Sequence, residues 1–295
     1  MLSLERLRVL RAVRDTGSVR GAAGSLHVTT SAISQQLARL EREAGQQLLE
    51  RFGRGVRLTS AGTLLAGHAD RLLGQLEEVE ADLDRHRGAV AGTLIVAAFA
   101  TAARGLLPAA LSALRARYPE LAVRLAEQEP AGAIDGLSTG DYDVAVVQDW
   151  PDDPLDIPAG LASRRLCTDE LDLAVPAGHP LADRDAVALT ELAGVAWISW
   201  PADQFCHGWL SRTLRKHGMA ADIVHTASEH STQLALVAAG LGVSVLPRLG
   251  REPLPDAVRV VPLRPAPRRR VSALWRTGAT RRPAVQAMLR QLANE

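Results

Sequence analysis

The stretch from Thr59 to about Arg87 contains no proline, and its apolar side chains recur at alternating spacings of four and three. Leu65, Ala69, Leu72, Leu76, Val79 and Leu83 mark the stripe, and His86 takes its last position. A pattern sustained over three heptads is satisfied by a long α-helix whose apolar seam meets a second helix. Thr59 is a natural N-cap for it. The stripe therefore predicts a coiled-coil dimerisation helix over residues 59–89; packing on the chain's own C-terminal part is the alternative. That helix divides the 295 residues into a head, 1–58, and a larger unit, 90–295.

The head reads as short helices with explicit stop signals. In SLERLRVLRAV, Leu4, Leu7, Val9, Leu10 and Val13 share one face, with Ser3 as N-cap. Asp15-Thr16-Gly17 breaks the chain, and Ser18 caps a second short helix. Thr29 caps a third, TSAISQQLARLEREAG, closed by Gly45. Its inner face is Ile33, Leu37, Leu40 and Ala44; its outer face carries Thr30, Ser31, Ser34, Gln35 and Ala38, followed by Arg39. Small hydroxyl and amide side chains reach base edges without filling a major groove. The next stretch, LLERFGRGVRLT, reads as two strands around Gly53–Gly55 carrying Arg51, Arg54 and Arg57. A basic ribbon beside a recognition helix suits phosphate or minor-groove contact. The combination is a winged helix-turn-helix, with Ser18, Thr29, Thr30, Ser31, Ser34, Gln35, Arg39, Arg51, Arg54 and Arg57 as expected DNA contacts.

The overall charge of +1 hides this head. Residues 1–58 hold ten arginines against five acids, residues 59–87 three against six, and the remainder is nearly balanced. Hydrophobic residues at 47% and charged residues at 23% describe a globular chain, not a disordered one. Two cysteines far apart, Cys167 and Cys206, give no disulfide framework and read as packing thiols, with a redox switch as the alternative. The first residues lack a signal-peptide pattern, and no apolar run has the ~20 residues of a membrane span. A cytoplasmic, nucleoid-associated location is expected.

From residue 90, apolar runs (TLIVAAF, AVRLAEQ, YDVAVVQ, ELDLAVP, VAWISW, LGVSVLP) alternate with helical stretches. That pattern predicts an α/β unit with a largely parallel sheet covered on both faces. Two irregular stretches, DWPDDPLDIPAG and LRPAPRRR, read as crossings between two lobes.

With these residues in hand, the chain resembles the LysR-type transcriptional regulators along essentially its whole length. The match is carried by Gly17-Ser18-Val19, Ala22-Ala23, Leu26, Ser34, Leu40-Glu41, Gly45, Arg51, Arg54 and Leu58-Thr59 before Ala61-Gly62. Departures fall at Thr30, Ser31, Gln35 and Leu49, where the family favours Gln, Pro, Arg and Phe, so a DNA sequence preference does not carry over. The resemblance implies a periplasmic-binding-protein-like effector domain, with lobe I at 90–163 and 266–295 and lobe II at 164–265. It also implies homodimers through the long helix, homotetramers through the effector domains, and imperfect dyad sites upstream of promoters.

In such a fold a ligand sits at the C-terminal ends of strands. Ala100, Thr101 and Arg104, then Gln128, Gln148, Ser199, Trp200 and Ser231, lie in the corresponding loops. Thr101 matches the family's effector-contacting hydroxyl. The expected roles are hydrogen bonding by Thr101, Ser199 and Ser231, carboxylate pairing by Arg104 and stacking by Trp200, toward a small anionic or zwitterionic effector. No phosphate loop, nucleophile elbow or HExxH occurs, so no enzyme, cofactor or metal is expected. The reading is a DNA-binding regulator modulated by an unidentified small molecule. A solute-binding protein and an effector-independent architectural DNA binder are the rivals.

Overall fold

The computed structural model describes residues 1–53 and 55–293, so Arg54 lies outside the described residues. Three helices open the chain: α1 (Leu4–Thr16), α2 (Val19–Ser25) and α3 (Thr30–Ala44). A hairpin of β1 (Leu49–Phe52) and β2 (Gly55–Leu58) follows, and then α4 (Ser60–His86). Ser18, Thr29 and Thr59 cap their helices as the sequence predicts, whereas Ser3 stands at the N-cap position of α1 without a side-chain cap hydrogen bond. The Ser18 and Thr29 hydroxyl oxygens accept from the Gly21 and Ala32 amides at 2.9 and 3.2 Å. Gly45 closes α3 at φ 65°, a left-handed conformation that favours glycine.

Glu41 joins α3 to the wing, its carboxylate accepting from the Leu48 and Leu49 amides at 2.9 and 3.2 Å. Thr59 joins the wing to α4. Its hydroxyl accepts from the Gly62 amide at 3.0 Å and donates to the Gln47 carbonyl at 2.8 Å. A Cβ at Gly62 would collide with the Leu48 carbonyl, so only glycine fits that crossing. Leu7, Leu10, Val13, Ala22, Ile33, Leu37 and Leu40 form the head's core, which Ala66 and Ala69 of α4 complete.

The larger unit contains β3 (Gly92–Ala98), α5 (Ala100–Gly105), α6 (Leu107–Arg117), β4 (Leu121–Glu127), α7 (Pro130–Thr139) and β5 (Val144–Asp149). It continues through β6 (Leu161–Pro176), β7 (Trp197–Ser199), α8 (Phe205–Lys216), β8 (Ile223–Thr226), α9 (His230–Ala238) and β9 (Ser244–Pro247). The chain closes with β10 (Val258–Pro262), β11 (Arg268–Arg276) and α10 (Pro283–Ala293). The order β10-β6-β11-β5-β3-β4, with β9 also on β6, makes a seven-stranded sheet.

The expectation of a largely parallel sheet needs correction. β3 runs parallel to β4 and β5, but β11 is antiparallel to β5 and β6, as are β9 and β10 to β6. A chain that leaves one lobe and returns must cross between them in both senses. β6 and β11 are those crossings, and they pair with each other. β6 meets β11 from Leu161 to Glu170, then β9 and β10 from Leu171 to Pro176. One apolar core gathers β3, β5, α6 and α10 around Leu107, Leu114 and Met288. Another gathers β6, β7, α8 and β9 around Trp197, Trp209 and Leu210.

Candidate nucleic-acid interface and interlobe cleft

Helical periodicity buries Ile33, Leu37 and Leu40 and turns the opposite face of α3 outward. Thr29, Thr30, Ser31, Ser34, Gln35, Ala38 and Arg39 lie on that outward side. The Ser34 hydroxyl donates to the Thr30 carbonyl at 2.9 Å, which leaves its oxygen free to accept. Ser18 and Thr29, whose oxygens cap helices, keep their hydroxyl protons for donation. On the wing, Glu50 pairs with Arg57 across the ladder and Arg51 with Val56, so the two arginines emerge on opposite faces. Arg51 is exposed. Arg57 is bound to Glu50 at 2.7 Å and lies 4.7 Å from the Phe52 ring centre. That engagement makes it less available to phosphate than its position in the sequence suggested.

α4 presents two faces. Ala66, Ala69, Leu73 and Ala81 are buried against the chain's own head and effector unit. Ala69 thus corrects the expected seam: a small residue sits where α1 crosses, and Leu65 is half-buried in the same core. The rest of the stripe is uncovered, with Leu72, Val79 and Leu83 at 44, 56 and 57% exposure and Leu76 half-buried. A single stripe in the sequence is therefore divided between an internal contact and an unpartnered 4-3 repeat.

Between the lobes, the central group is one that sequence reading missed. Arg269, 2% exposed, reaches from β11 to the Asp169 carboxylate at 2.7 Å and the Thr101 hydroxyl at 2.6 Å. It also donates to the Gln148 side-chain carbonyl and lies 5.1 Å from the Phe99 ring centre. A run of three arginines reads as a solvated segment. Its signal was the two-residue period of a strand, which sets Arg269 on the same face as buried Val271 and Ala273.

Of the expected cleft residues, Arg269 thus brings Thr101 and Gln148 together. The Gln148 amide donates to the Cys206 sulfur at 3.3 Å. Burial pushes the Cys206 thiol up to about 12, Arg269 opposing, and also raises the half-buried Cys167. The Ser199 hydroxyl and His230 Nε2 are buried with no hydrogen-bond partner among the described residues. Gln128 is half-buried and accepts from the Glu129 amide at 3.2 Å; Ala100 starts α5 half-buried; Ser231 is exposed on α9.

Two expectations are corrected. Arg104 has no free charge for a ligand carboxylate, because it binds Glu252 at 2.7 Å and the Gly250 carbonyl at 2.6 Å across the lobes. Trp200 is not an open stacking face: it is buried in the lobe core, edge-on to His230 with ring centres 5.6 Å apart. Among the described residues, no group of three or more His, Cys, Asp or Glu is placed to hold a metal ion. No described helix is long and apolar enough to cross a membrane.

Comparison with known proteins bears on both regions. Residues 4–63 match the profile described as the bacterial regulatory helix-turn-helix protein, lysR family, and residues 87–295 match the LysR substrate binding domain. The probable HTH-type transcriptional regulator LrrA of Synechococcus elongatus is 30% identical over 303 residues, covering 100% of this chain and 98% of that protein. A probable RuBisCO transcriptional regulator of Chlorokybus atmophyticus is 31% identical over 215 residues, covering 73% and 68%. Among solved structures, a full-length OxyR variant from Pseudomonas aeruginosa superposes with a TM-score of 0.69 at 23% identity, covering 99% of this chain and 95% of the other.

Proposed function

The chain belongs to the LysR family of DNA-binding transcriptional regulators, and from that premise we propose how it reads a promoter and answers an effector. Family members are not enzymes; they bind DNA as oligomers, and a small molecule in the C-terminal domain typically modulates them. In our reading, α3 enters the major groove with Thr30, Ser31, Ser34 and Gln35 toward base edges. Ser18, Thr29, Arg39 and Arg51 grip phosphates beside it, as do Arg54 and, once released from Glu50, Arg57. The exposed polar face of α3 beside an exposed wing arginine carries this reading.

Two chains pair through Leu72, Leu76, Val79 and Leu83, placing two heads on one dyad site. Effector domains join such dimers into a tetramer, and the protein works in the cytoplasm on the nucleoid. We assign lobe I to 90–163 and 266–295 and lobe II to 164–265. The effector occupies the cleft between them, touching Thr101, Gln148 and Ser199. What supports this is the pair of buried, unpartnered polar atoms on Ser199 and His230, which a ligand would satisfy. Arg269 holds Thr101 and Gln148, so the ligand competes with internal hydrogen bonds and shifts lobe closure.

A metabolite found by thermal-shift screening should alter the DNase footprint on the intergenic region beside the gene. Thr101→Ala and Ser199→Ala should weaken its binding by about tenfold or more while leaving DNA affinity intact. Unchanged ligand affinity in both variants would sink the cleft assignment.

A further inference from the structure

A cavity of about 760 Å³ lies where the head, α4 and lobe I meet, and none of Thr101, Gln148, Ser199, His230 or Arg269 lines it. Its volume falls within the range of small-molecule sites. α1 forms one side, the middle of α4 another, and α7 with the turn at Pro158–Gly160 closes it. Much of its charge is internally matched. Arg14 binds Asp70 at 2.6 Å and Asp15 at 2.8 Å. Arg276 binds Glu77 at 2.6 Å and the Tyr142 carbonyl at 2.6 Å.

The wall carries five arginines and five acids. Because Arg14 takes two of the acids, three guanidinium groups are left without a carboxylate partner among the described residues. Arg8, Arg11 and Arg71 make no ion pair with a carboxylate among the described residues, against two unpaired acids, Glu78 and Asp135. Arg11 is the most telling. It is half-buried, and among the described residues its one hydrogen bond runs to the Ser138 carbonyl at 2.7 Å. Burial lowers its pKa, with Arg14 acting in the same sense and Asp15, Asp70 and Glu77 opposing. A guanidinium has five donors in a planar fork suited to two oxygens of a phosphate. The two unpaired acids call for donors on the same ligand. A bare anion would leave most of the cavity empty.

We infer that this cavity binds a small organic phosphate carrying hydroxyl or amino groups, with its phosphate on Arg11, Arg8 and Arg71 and its donors toward Asp135 and Glu78. Because the walls belong to head, linker helix and lobe I at once, occupancy favours one orientation of the DNA-reading head on the sensor. This site does not depend on the effector cleft.

The test is calorimetry on the full-length protein at fixed ionic strength with glucose 6-phosphate and adenosine monophosphate, against glucose, adenosine and inorganic phosphate. At least one phosphorylated probe should bind saturably with a Kd below about 1 mM, and its unphosphorylated counterpart should not. Arg11→Gln should weaken that binding by about tenfold or more. Arg8→Gln, an exposed rim position, should weaken it without touching the fold, and Thr101→Ala should leave it unchanged. The proposal is overturned if neither phosphorylated probe binds, if glucose or adenosine binds equally well, or if Thr101→Ala abolishes binding that both arginine variants retain.

Discussion

Burial, together with the positive charges of Arg269 and Arg104, drives the imidazole of His230 down to about 3 from an ordinary 6.5. Its folded-state pKa is depressed, so the folded protein keeps it neutral while the unfolded chain takes up a proton below 6.5. Stability therefore falls as pH drops from 6.5 toward 3, at about 1.4 kcal/mol per pH unit for this one group. Glu129, whose pKa burial raises, works in the opposite sense in acid. The clean measurement is a difference. In urea unfolding of the full-length protein between pH 6.5 and 5, His230→Leu should remove about 1.1 kcal/mol per unit of the pH slope, the limit of about 1.4 being reached only further below 6.5. Equal slopes would mean that His230 is hydrated and titrates normally. At this scale the sequence was partly legible. Thr101 and Gln148 were expected near one another because both lie at strand ends, and Arg269 bonds both. The inward face of Arg269 follows from the two-residue period of β11, but its partner Asp169, 100 positions away, does not. Arg104 failed for the same reason, since its partner Glu252 is remote in the chain, and Trp200 failed because it packs into the lobe core.

α4 shows how one periodic signal can serve two surfaces. Spacings of four and three identify a helix and an apolar stripe, but they do not say which neighbour covers each turn. The first turns complete the head's core through Ala66 and Ala69, and the later ones leave Leu72, Val79 and Leu83 in solvent. The proposed dimer predicts that Leu72→Glu with Leu83→Glu yields a monomer by sedimentation velocity. Far-UV circular dichroism should be unchanged, because both side chains are exposed in the single chain. Affinity for a dyad site should fall by about a hundredfold or more as bivalence disappears. A dimer that persists in the double variant would place the interface elsewhere. The wing was fully legible as an element, since Gly53, Gly55 and the flanking arginines are local signals. That Arg57 folds back onto Glu50 and Phe52 was not, because it depends on the register of the hairpin.

For the whole molecule, the uneven charge matters more than its sum. Ten arginines in the first 58 residues give a basic head, and the acidic α4 and balanced sensor cancel it in the total of +1. DNA binding should accordingly weaken steeply with salt. Arg51→Ala should make the slope of log K against log salt shallower by about 0.9 for each phosphate that the arginine neutralises, and by twice that in a dimer. An unchanged slope would show that Arg51 does not face a phosphate.

The sequence by itself determined the winged helix, the long helix and the α/β character of the sensor. Caps, turns and periodicity act over a few residues, and each such signal agreed with the next. Tertiary structure alone decided that β6 and β11 pair antiparallel, that Arg269 bonds Thr101, Gln148 and Asp169 at once, and that α4 hides one face while offering another. It also decided that Arg11 faces a cavity with no carboxylate paired to it among the described residues. Each of these rests on groups brought together from distant parts of the chain, where burial and register, not local propensity, set the energy.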